Sequence, residues 1–206
     1  MRGGMFLIQC DWNVALAAPS GSAWVSWKTR GEPGRHGKLT RTVAGVDCDL
    51  EEISSTRMVG NTVLEVRRVG TDEAVRVVAP EQVFTRLGNG GPVQSLDVTT
   101  GGLGVSCRGD AVVQVWDSST GVVRRQLSGH LSDVYTCRWF PSGQVVLTGG
   151  ADMQLRIWSA ADGSCPVTLA GHRRAVTDTA VVDRGRNVVS VSRDGDVRPW
   201  HCGEAR

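Results

Sequence analysis

Four residue types recur along the second half of the chain at one fixed spacing of 42 residues. They are tryptophan, histidine, aspartate and a hydroxyl residue. The members are Trp116, Trp158 and Trp200; His130 and His172; Asp110, Asp152 and Asp194; and Ser106, Thr148 and Ser190. A hydroxyl, an imidazole and a carboxylate are the groups of a hydrolytic triad. Together with an indole N–H, the same groups can instead form a buried network in which each polar group has a partner.

The repetition favours the structural interpretation. A single active site does not need near-copies of a triad in every repeat. One copy has threonine in place of serine, and the first has Gly88 where the period would place histidine. No G-x-S-x-G motif, which surrounds the nucleophile of many serine hydrolases, occurs in the chain. We therefore predict no catalytic residue and no metal ligand; a hydrolase that uses His130 or His172 is the weaker alternative.

Short strand-like runs separated by turns surround these residues. They divide the second half of the chain into units 87–128, 129–170 and 171–206, and only the last lacks a fourth run. Many runs are continuously apolar, which is typical of strands that are buried on both faces. The predicted strands are 93–98, 103–107, 111–116 and 122–127; 134–140, 144–149, 153–158 and 164–169; and 176–182, 186–191 and 195–200.

Residues 1–86 do not follow the period and are predicted to form a small, mostly β N-terminal domain. Asp11 could cap a short helix that Pro19 would stop. Strand-like composition marks residues 23–27, and residues 62–69 and 73–79 form a predicted hairpin. His36 falls in a polar loop in this interpretation.

The period, with Gly-His near the start of each repeat and Trp-Asp near its end, resembles the WD-repeat β-propeller family. The predicted fold class is all-β: an incomplete propeller of about three four-stranded blades after the N-terminal domain. In that family the repeated residues form a structural hydrogen-bond tetrad in each blade. The resemblance assigns this role to Ser106, Asp110 and Trp116; to His130, Thr148, Asp152 and Trp158; and to His172, Ser190, Asp194 and Trp200.

The resemblance also implies a protein-binding rim at one end of the blades. Family contact positions lie three and five residues after the histidine and just before the aspartate of the tight turn. In this chain they include Asp133, Tyr135 and Arg193, and Arg173 and Arg174 lie beside them. Tyrosine and arginine dominate interface energetics, so these five residues are the predicted binding residues. The alternative is that each is an ordinary exposed side chain.

Longer stretches resemble one group within the family, the proteasomal ATPase-associated factors. They are residues 101–106, 140–160 and, most specifically, 183–195. This resemblance implies a non-catalytic scaffold that binds the C-terminal domains of proteasomal 19S ATPase subunits and regulates proteasome assembly. It further implies a truncated form, whose third blade we expect to be the least ordered. A generic WD-repeat adaptor for another complex is the alternative.

Composition limits the other possibilities. A net charge of +2 gives no excess of basic residues of the kind that binds nucleic acid. No apolar run is long enough for a membrane span. Without a phosphate-binding glycine loop or an isolated carboxylate pair, we expect no cofactor and no small-molecule substrate. The six cysteines show no metal spacing and are predicted to be buried free thiols in a reducing compartment, the cytosol or the nucleus.

Overall fold

The computed structural model describes residues 4–71, 74–84 and 92–202. The chain divides into two compact units, Met1–Val83 and Phe84–Arg206. The predicted boundary between residues 86 and 87 lies outside the described residues. The described parts of both units are built almost entirely from antiparallel strands, so the predicted all-β fold class is confirmed.

Two antiparallel sheets form the N-terminal unit. The first contains four strands in chain order, with the short helix α1 inserted between the first two. The second contains three strands, also in chain order. The elements are β1 (Gly4–Ile8), α1 (Trp12–Ala15), β2 (Ser22–Thr29), β3 (Arg35–Arg41), β4 (Val46–Cys48), β5 (Ile53–Val59), β6 (Val63–Arg68) and β7 (Ala74–Val78).

The sequence predicts part of this unit correctly. The short helix is present as α1. Its first residue, Trp12, and the residue that directly follows it, Leu16, are buried in the core of the unit. Strands β2, β6 and β7 correspond to the three predicted runs, although Glu73 lies outside the described residues. His36 was wrongly assigned to a loop. It lies on β3, and its Nδ1 is 2.6 Å from the Ser26 hydroxyl on β2.

Three antiparallel sheets form the second unit, and each contains strands that follow one another in the chain. They correspond to the three predicted repeats, and the third sheet has three strands in its described part. The strands are β8 (Val93–Val98), β9 (Leu103–Arg108), β10 (Val112–Asp117) and β11 (Val123–Ser128); β12 (Val134–Trp139), β13 (Val145–Gly150), β14 (Gln154–Ser159) and β15 (Val167–Ala170); and β16 (Val176–Val182), β17 (Asn187–Ser192) and β18 (Val197–His201).

Neighbouring sheets of the second unit pack face to face. Val105 and Val113 of the first sheet share a buried cluster with Val146 of the second. Leu147, on the opposite face of the second sheet, is buried with Val188 of the third. The middle sheet is therefore covered on both faces, which explains the continuous apolar run of β13.

Two prolines set local features of these sheets. Pro166 lacks an N–H, and β15 begins only at Val167, three residues later than predicted. The preceding turn is closed by Asp162, whose carboxylate accepts hydrogen bonds from the N–H and hydroxyl of Ser164. These bonds lower the pKa of Asp162 to about 2. Pro199 lies on β18, the outermost described strand of its sheet, where a proline can be accommodated.

Candidate functional site

The four repeated residues of the middle sheet form one continuous hydrogen-bond network. Thr148 lies on β13 and Trp158 on β14, while Asp152 occupies the turn between them and His130 precedes β12. The Trp158 indole N–H donates to the Thr148 hydroxyl over 2.8 Å. That hydroxyl is 2.6 Å from Nε2 of His130, and Nδ1 of the ring is 2.8 Å from Oδ2 of Asp152. The network ties the loop before β12 to the turn after β13.

Burial determines the charge state of this network. Removal from water lowers the pKa of His130 below its ordinary value, although the Asp152 carboxylate acts in the opposite direction. The imidazole is therefore neutral at neutral pH. Its Nδ1–H donates to Asp152, and its Nε2 accepts the Thr148 hydroxyl proton. The Asp152 carboxylate also accepts the backbone N–H of Leu131 over 3.2 Å, so it fixes the backbone of the loop.

The third sheet repeats the arrangement with serine in place of threonine. His172 lies 2.8 Å from the Ser190 hydroxyl and 2.9 Å from the Asp194 carboxylate, and Trp200 donates to Ser190 over 2.8 Å. Burial raises the pKa of Asp194, but hydrogen bonds from the backbone N–H groups of Arg173 and Asp196 and from His172 outweigh this effect. The net result holds the pKa of Asp194 well below its usual range.

The first sheet contains only part of the arrangement. Trp116 donates to the Ser106 hydroxyl over 3.1 Å, and Asp110 accepts the N–H of Val112 over 3.1 Å. Gly88, where the period calls for histidine, lies outside the described residues. Ser106 and Asp110 instead border a cavity of about 60 Å³.

A buried arginine lines this cavity and was not singled out by the sequence. The Arg108 side chain belongs to a residue that is only 8% exposed. Among the residues that the structure describes, its Nε and Nη1 have no hydrogen-bond partner, and neither does Oε1 of Gln114 on the next strand. The corresponding residue of the middle sheet is Gly150, so the arginine interrupts the repeat at a buried position. In the sequence, this interruption is visible as a charged residue directly after the predicted strand 103–107.

The second group of predicted residues lies where loops and turns meet at one end of the sheets. The backbone O of Asp133, directly before β12, accepts the N–H of Ala151 over 2.7 Å. In the next sheet the N–H of Arg193 donates to Ala175 over 3.0 Å in the equivalent way. The guanidinium of Arg193 lies over the Tyr135 ring, 5.6 Å from its centroid. The structure thus brings the predicted residues of two adjacent sheets together.

Arg173 and Arg174 belong to the loop before β16 at the same end. The backbone N–H of Arg173 binds Asp194, and the backbone O of Arg174 accepts the Ser192 hydroxyl over 2.9 Å. Both side chains are exposed. The loop backbone is therefore held in place, while the two guanidinium groups face solvent.

Two apolar residues at this end were missed by the sequence interpretation. Leu131, directly after His130, is 83% exposed, and Met153, directly after Asp152, is 42% exposed. The Leu131 N–H donates to the carboxylate of Asp152, the residue directly before Met153. Met153 also has a φ of +65°, a conformation that favours glycine, and Gly195 takes its place in the third sheet with a φ of +90°. A methionine where the next repeat has glycine was the available signal.

The cysteines differ from the prediction in their burial. All six cysteines are free thiols, but Cys10 is exposed and only Cys107 and Cys137 are buried. Those two are not isolated. A hydrogen bond between their thiols, together with burial, raises the pKa of Cys107. His201 has its Nδ1 2.8 Å from Oδ1 of Asn187.

Other kinds of site have little support in the described part of the chain. Within residues 4–71, 74–84 and 92–202, no three histidine, cysteine or acidic residues are grouped so as to hold a metal ion. Among the same residues, no helix has the length and apolar character needed to cross a membrane.

Comparison with known families defines the class. The family model described as "WD domain, G-beta repeat" matches residues 121–159 and 163–200. These stretches include most of the second and third sheets and the tryptophans of both networks. The repeat period, the antiparallel sheets and the paired networks agree with this match. Residues 121–159 and 163–200 therefore form WD repeats.

Several curated proteins are similar over a larger part of the chain. Proteasomal ATPase-associated factor 1 of Homo sapiens is 44% identical over 144 residues, which cover 66% of this chain and 36% of the relative. The 26S proteasome regulatory subunit RPN14 of Saccharomyces cerevisiae is 48% identical over 91 residues, or 44% of this chain and 22% of the relative. The resemblance seen in the sequence is thereby confirmed. The chain spans little more than a third of the length of the human relative.

A further relative is not named as a proteasomal protein. Periodic tryptophan protein 2 of Arabidopsis thaliana is 32% identical over 92 residues, which cover 45% of this chain and 10% of that protein.

Proposed function

We propose that this chain is a non-catalytic interaction protein that binds the C-terminal domain of a proteasomal ATPase subunit and takes part in assembly of the regulatory particle. The observation that carries the proposal is the 44% identity with human proteasomal ATPase-associated factor 1 over 66% of the chain. That identity extends beyond the residues that the repeat model alone matches. A role on the proteasome fits the cytosol, with the nucleus as the alternative.

The arrangement of the site supports binding rather than catalysis. The buried networks leave no reactive group accessible, because the side chains of His130 and His172 are 0% exposed. The predicted binding residues at this end do reach solvent: Arg173, Arg174 and Arg193 are exposed, and Asp133 and Tyr135 are half-buried. We therefore assign the networks to holding the loops and the exposed residues to binding.

A pull-down with purified proteins tests the proposal. The 206-residue chain would be immobilised and offered the C-terminal domain of each proteasomal ATPase subunit in turn, with the human relative as positive control. We expect enrichment of one subunit. Replacing Asp133, Tyr135 and Arg193 together by alanine should reduce this enrichment about tenfold or more, as is usual for central interface residues. Capture by the human relative but not by this chain would overturn the proposal.

A WD-repeat adaptor for another complex is the second candidate, and the similarity to periodic tryptophan protein 2 favours it. The same triple variant separates the two functions. If another complex is the partner, the variant should weaken capture of that complex and leave binding of the ATPase domains unchanged.

The hydrolase alternative makes a different prediction for His172→Ala. We expect this variant to lose stability because it leaves the Ser190 hydroxyl and the Asp194 carboxylate without their shared partner. The free energy of unfolding should fall by about 1–3 kcal/mol for each group left unpaired. Urea denaturation would measure the change. A variant of unaltered stability that had lost an ester-hydrolysing activity of the native chain would support the hydrolase instead.

A further inference from the structure

We propose that the end of the second and third sheets binds an acidic peptide segment that carries an apolar side chain. The surface consists of Leu131, Tyr135, Met153, Arg173, Arg174 and Arg193, and we call it the rim strip. The inference rests on the proposed binding function and specifies the chemistry of the partner.

One half of the rim strip is apolar. Leu131 and Met153 flank the same carboxylate, because Asp152 directly precedes Met153 in the chain and accepts the backbone N–H of Leu131. Each exposes a large part of its side chain to water. The left-handed φ of Met153 is strained for a residue with a side chain, and such strain is concentrated at functional positions. The result is an exposed apolar patch at a turn where the next repeat has glycine.

The other half is basic and has no acidic partner. Within residues 92–202 and the described N-terminal segments, none of Arg173, Arg174 and Arg193 forms an ion pair. The Asp194 carboxylate, which follows Arg193 in the chain, is nearly buried and bound by His172 and by backbone N–H groups. Arg193 is oriented by its contact with the Tyr135 ring. Three guanidinium groups are therefore available to carboxylates of a partner.

The two halves together fit a peptide. A carboxylate-rich segment would pair with the arginines, and one apolar side chain would cover Leu131 and Met153. A nucleic-acid backbone fits less well because it offers nothing to the apolar half.

Fluorescence anisotropy with a defined probe tests the inference. The probe is a short labelled peptide of glutamates with two central leucines, offered to the full 206-residue chain at low salt. We expect saturable binding that weakens as salt is added. Three altered probes should bind about tenfold more weakly: one with lysine for glutamate, one with serine for leucine, and a single-stranded RNA of equal charge. Equal binding of any of them would overturn the inference.

Protein variants locate the site. Arg193→Ala and Leu131→Ser should each weaken binding of the probe about tenfold. Matched controls change similar residues at the opposite end of the sheets. Arg184→Asn removes an exposed charge at a left-handed position, and Val122→Ser removes an exposed apolar side chain. Both controls should bind as the native chain does, and weakening by the controls alone would place the site elsewhere.

The outcome is distinguishable from that of the proposed function. If an ATPase domain is captured but the acidic probe is not bound, only the partner chemistry is wrong. If the probe is bound but no ATPase domain is captured, the rim strip serves a different acidic partner.

Discussion

At the scale of single residues, the neutral His130 connects proton binding to stability. Its imidazole is buried, and its pKa is lower in the folded chain than the ordinary value of 6.5. At a pH between these two values the unfolded chain binds a proton that the folded chain does not. The contribution of His130 to the free energy of unfolding is therefore complete above about pH 6.5 and decreases as the pH falls below that value.

We expect the free energy of unfolding to be lower at about pH 5.5 than at about pH 7.5, with a slope from His130 of at most about 1.4 kcal/mol per pH unit. Urea denaturation at several pH values would measure it. The control is His130→Gln, which removes the titrating group and should lose this part of the slope. An identical pH dependence in both chains would contradict the assignment.

Arg108 leads to a second prediction at this scale, because two of its buried nitrogens have no hydrogen-bond partner in the described part of the chain. Replacing it by methionine keeps a long side chain and removes the unpaired polar atoms. We expect Arg108→Met to raise the free energy of unfolding by about 1 kcal/mol. Arg124→Met, at an exposed arginine paired with Asp117, is the matched control and should change stability little. A clear loss of stability in Arg108→Met would show that the guanidinium has a partner in solution.

The sequence predicted residues of the networks better than residues of the surface. His130, Thr148, Asp152 and Trp158 could be found because a buried polar group requires partners, and this requirement repeats with the fold. Leu131 and Met153 escaped because their exposure follows from the path of a loop and a turn. The unpaired state of Arg108 depends on which atoms surround it, and the spacing of residues contains no such information.

At the scale of elements, the third sheet of the second unit has the least support from neighbouring strands in its described part. Its outer described strand β18 is hydrogen-bonded to β17 on one side and includes Pro199, which lacks an N–H. Val182 and Val197 are exposed in this sheet. The corresponding strand of the middle sheet, β14, is paired on both sides.

We expect amide hydrogens of β17 and β18 to exchange about tenfold faster than those at the matched positions of β13 and β14. Fewer inter-strand hydrogen bonds and side-chain contacts must be broken for β17 and β18 to open locally. Exchange measured by mass spectrometry on the 206-residue chain would compare them directly. The repeat supplies the internal control, since each residue has a counterpart 42 positions earlier. Equally slow exchange throughout residues 176–200 would contradict the expectation.

Strands of the second unit were predicted to within a few residues, whereas four strands of the N-terminal unit were not. Strand β13 is apolar over three consecutive residues because both of its faces are covered. Strand β3 reads as a polar segment, and only Leu39 of its residues is buried. Strand β5 has no fully buried residue. Such strands are specified by pairing with distant segments, which a local pattern does not reveal.

At the scale of the whole molecule, the first strand of the second unit exposes apolar side chains. Val93, Leu96 and Val98 of β8 are each between 44% and 56% exposed. Ser95 and Asp97 of the same strand bind the neighbouring β12, so the strand is fixed in place. A fixed strand with exposed apolar residues favours self-association.

We predict that the 206-residue chain self-associates as its concentration rises, and that Leu96→Glu weakens this association about tenfold. Sedimentation velocity over a range of concentrations would detect the change. Val14→Glu introduces the same charge at an exposed valine of the N-terminal unit and should have no effect. Equal association of both variants would place the contact on another surface.

The way in which Asp152 and Asp194 hold their loops has a consequence for how this molecule could diversify. Each carboxylate accepts a hydrogen bond from a main-chain N–H, that of Leu131 in one repeat and that of Arg173 in the next. Any residue except proline supplies the same N–H. The side chain at that position is thus free to change without altering the scaffold. Exchanging Leu131 for arginine, and Ala151 for the arginine found at position 193, would transplant the recognition properties of one repeat onto its neighbour. Substitution of a few surface residues could therefore change the binding specificity while the buried residues stay the same.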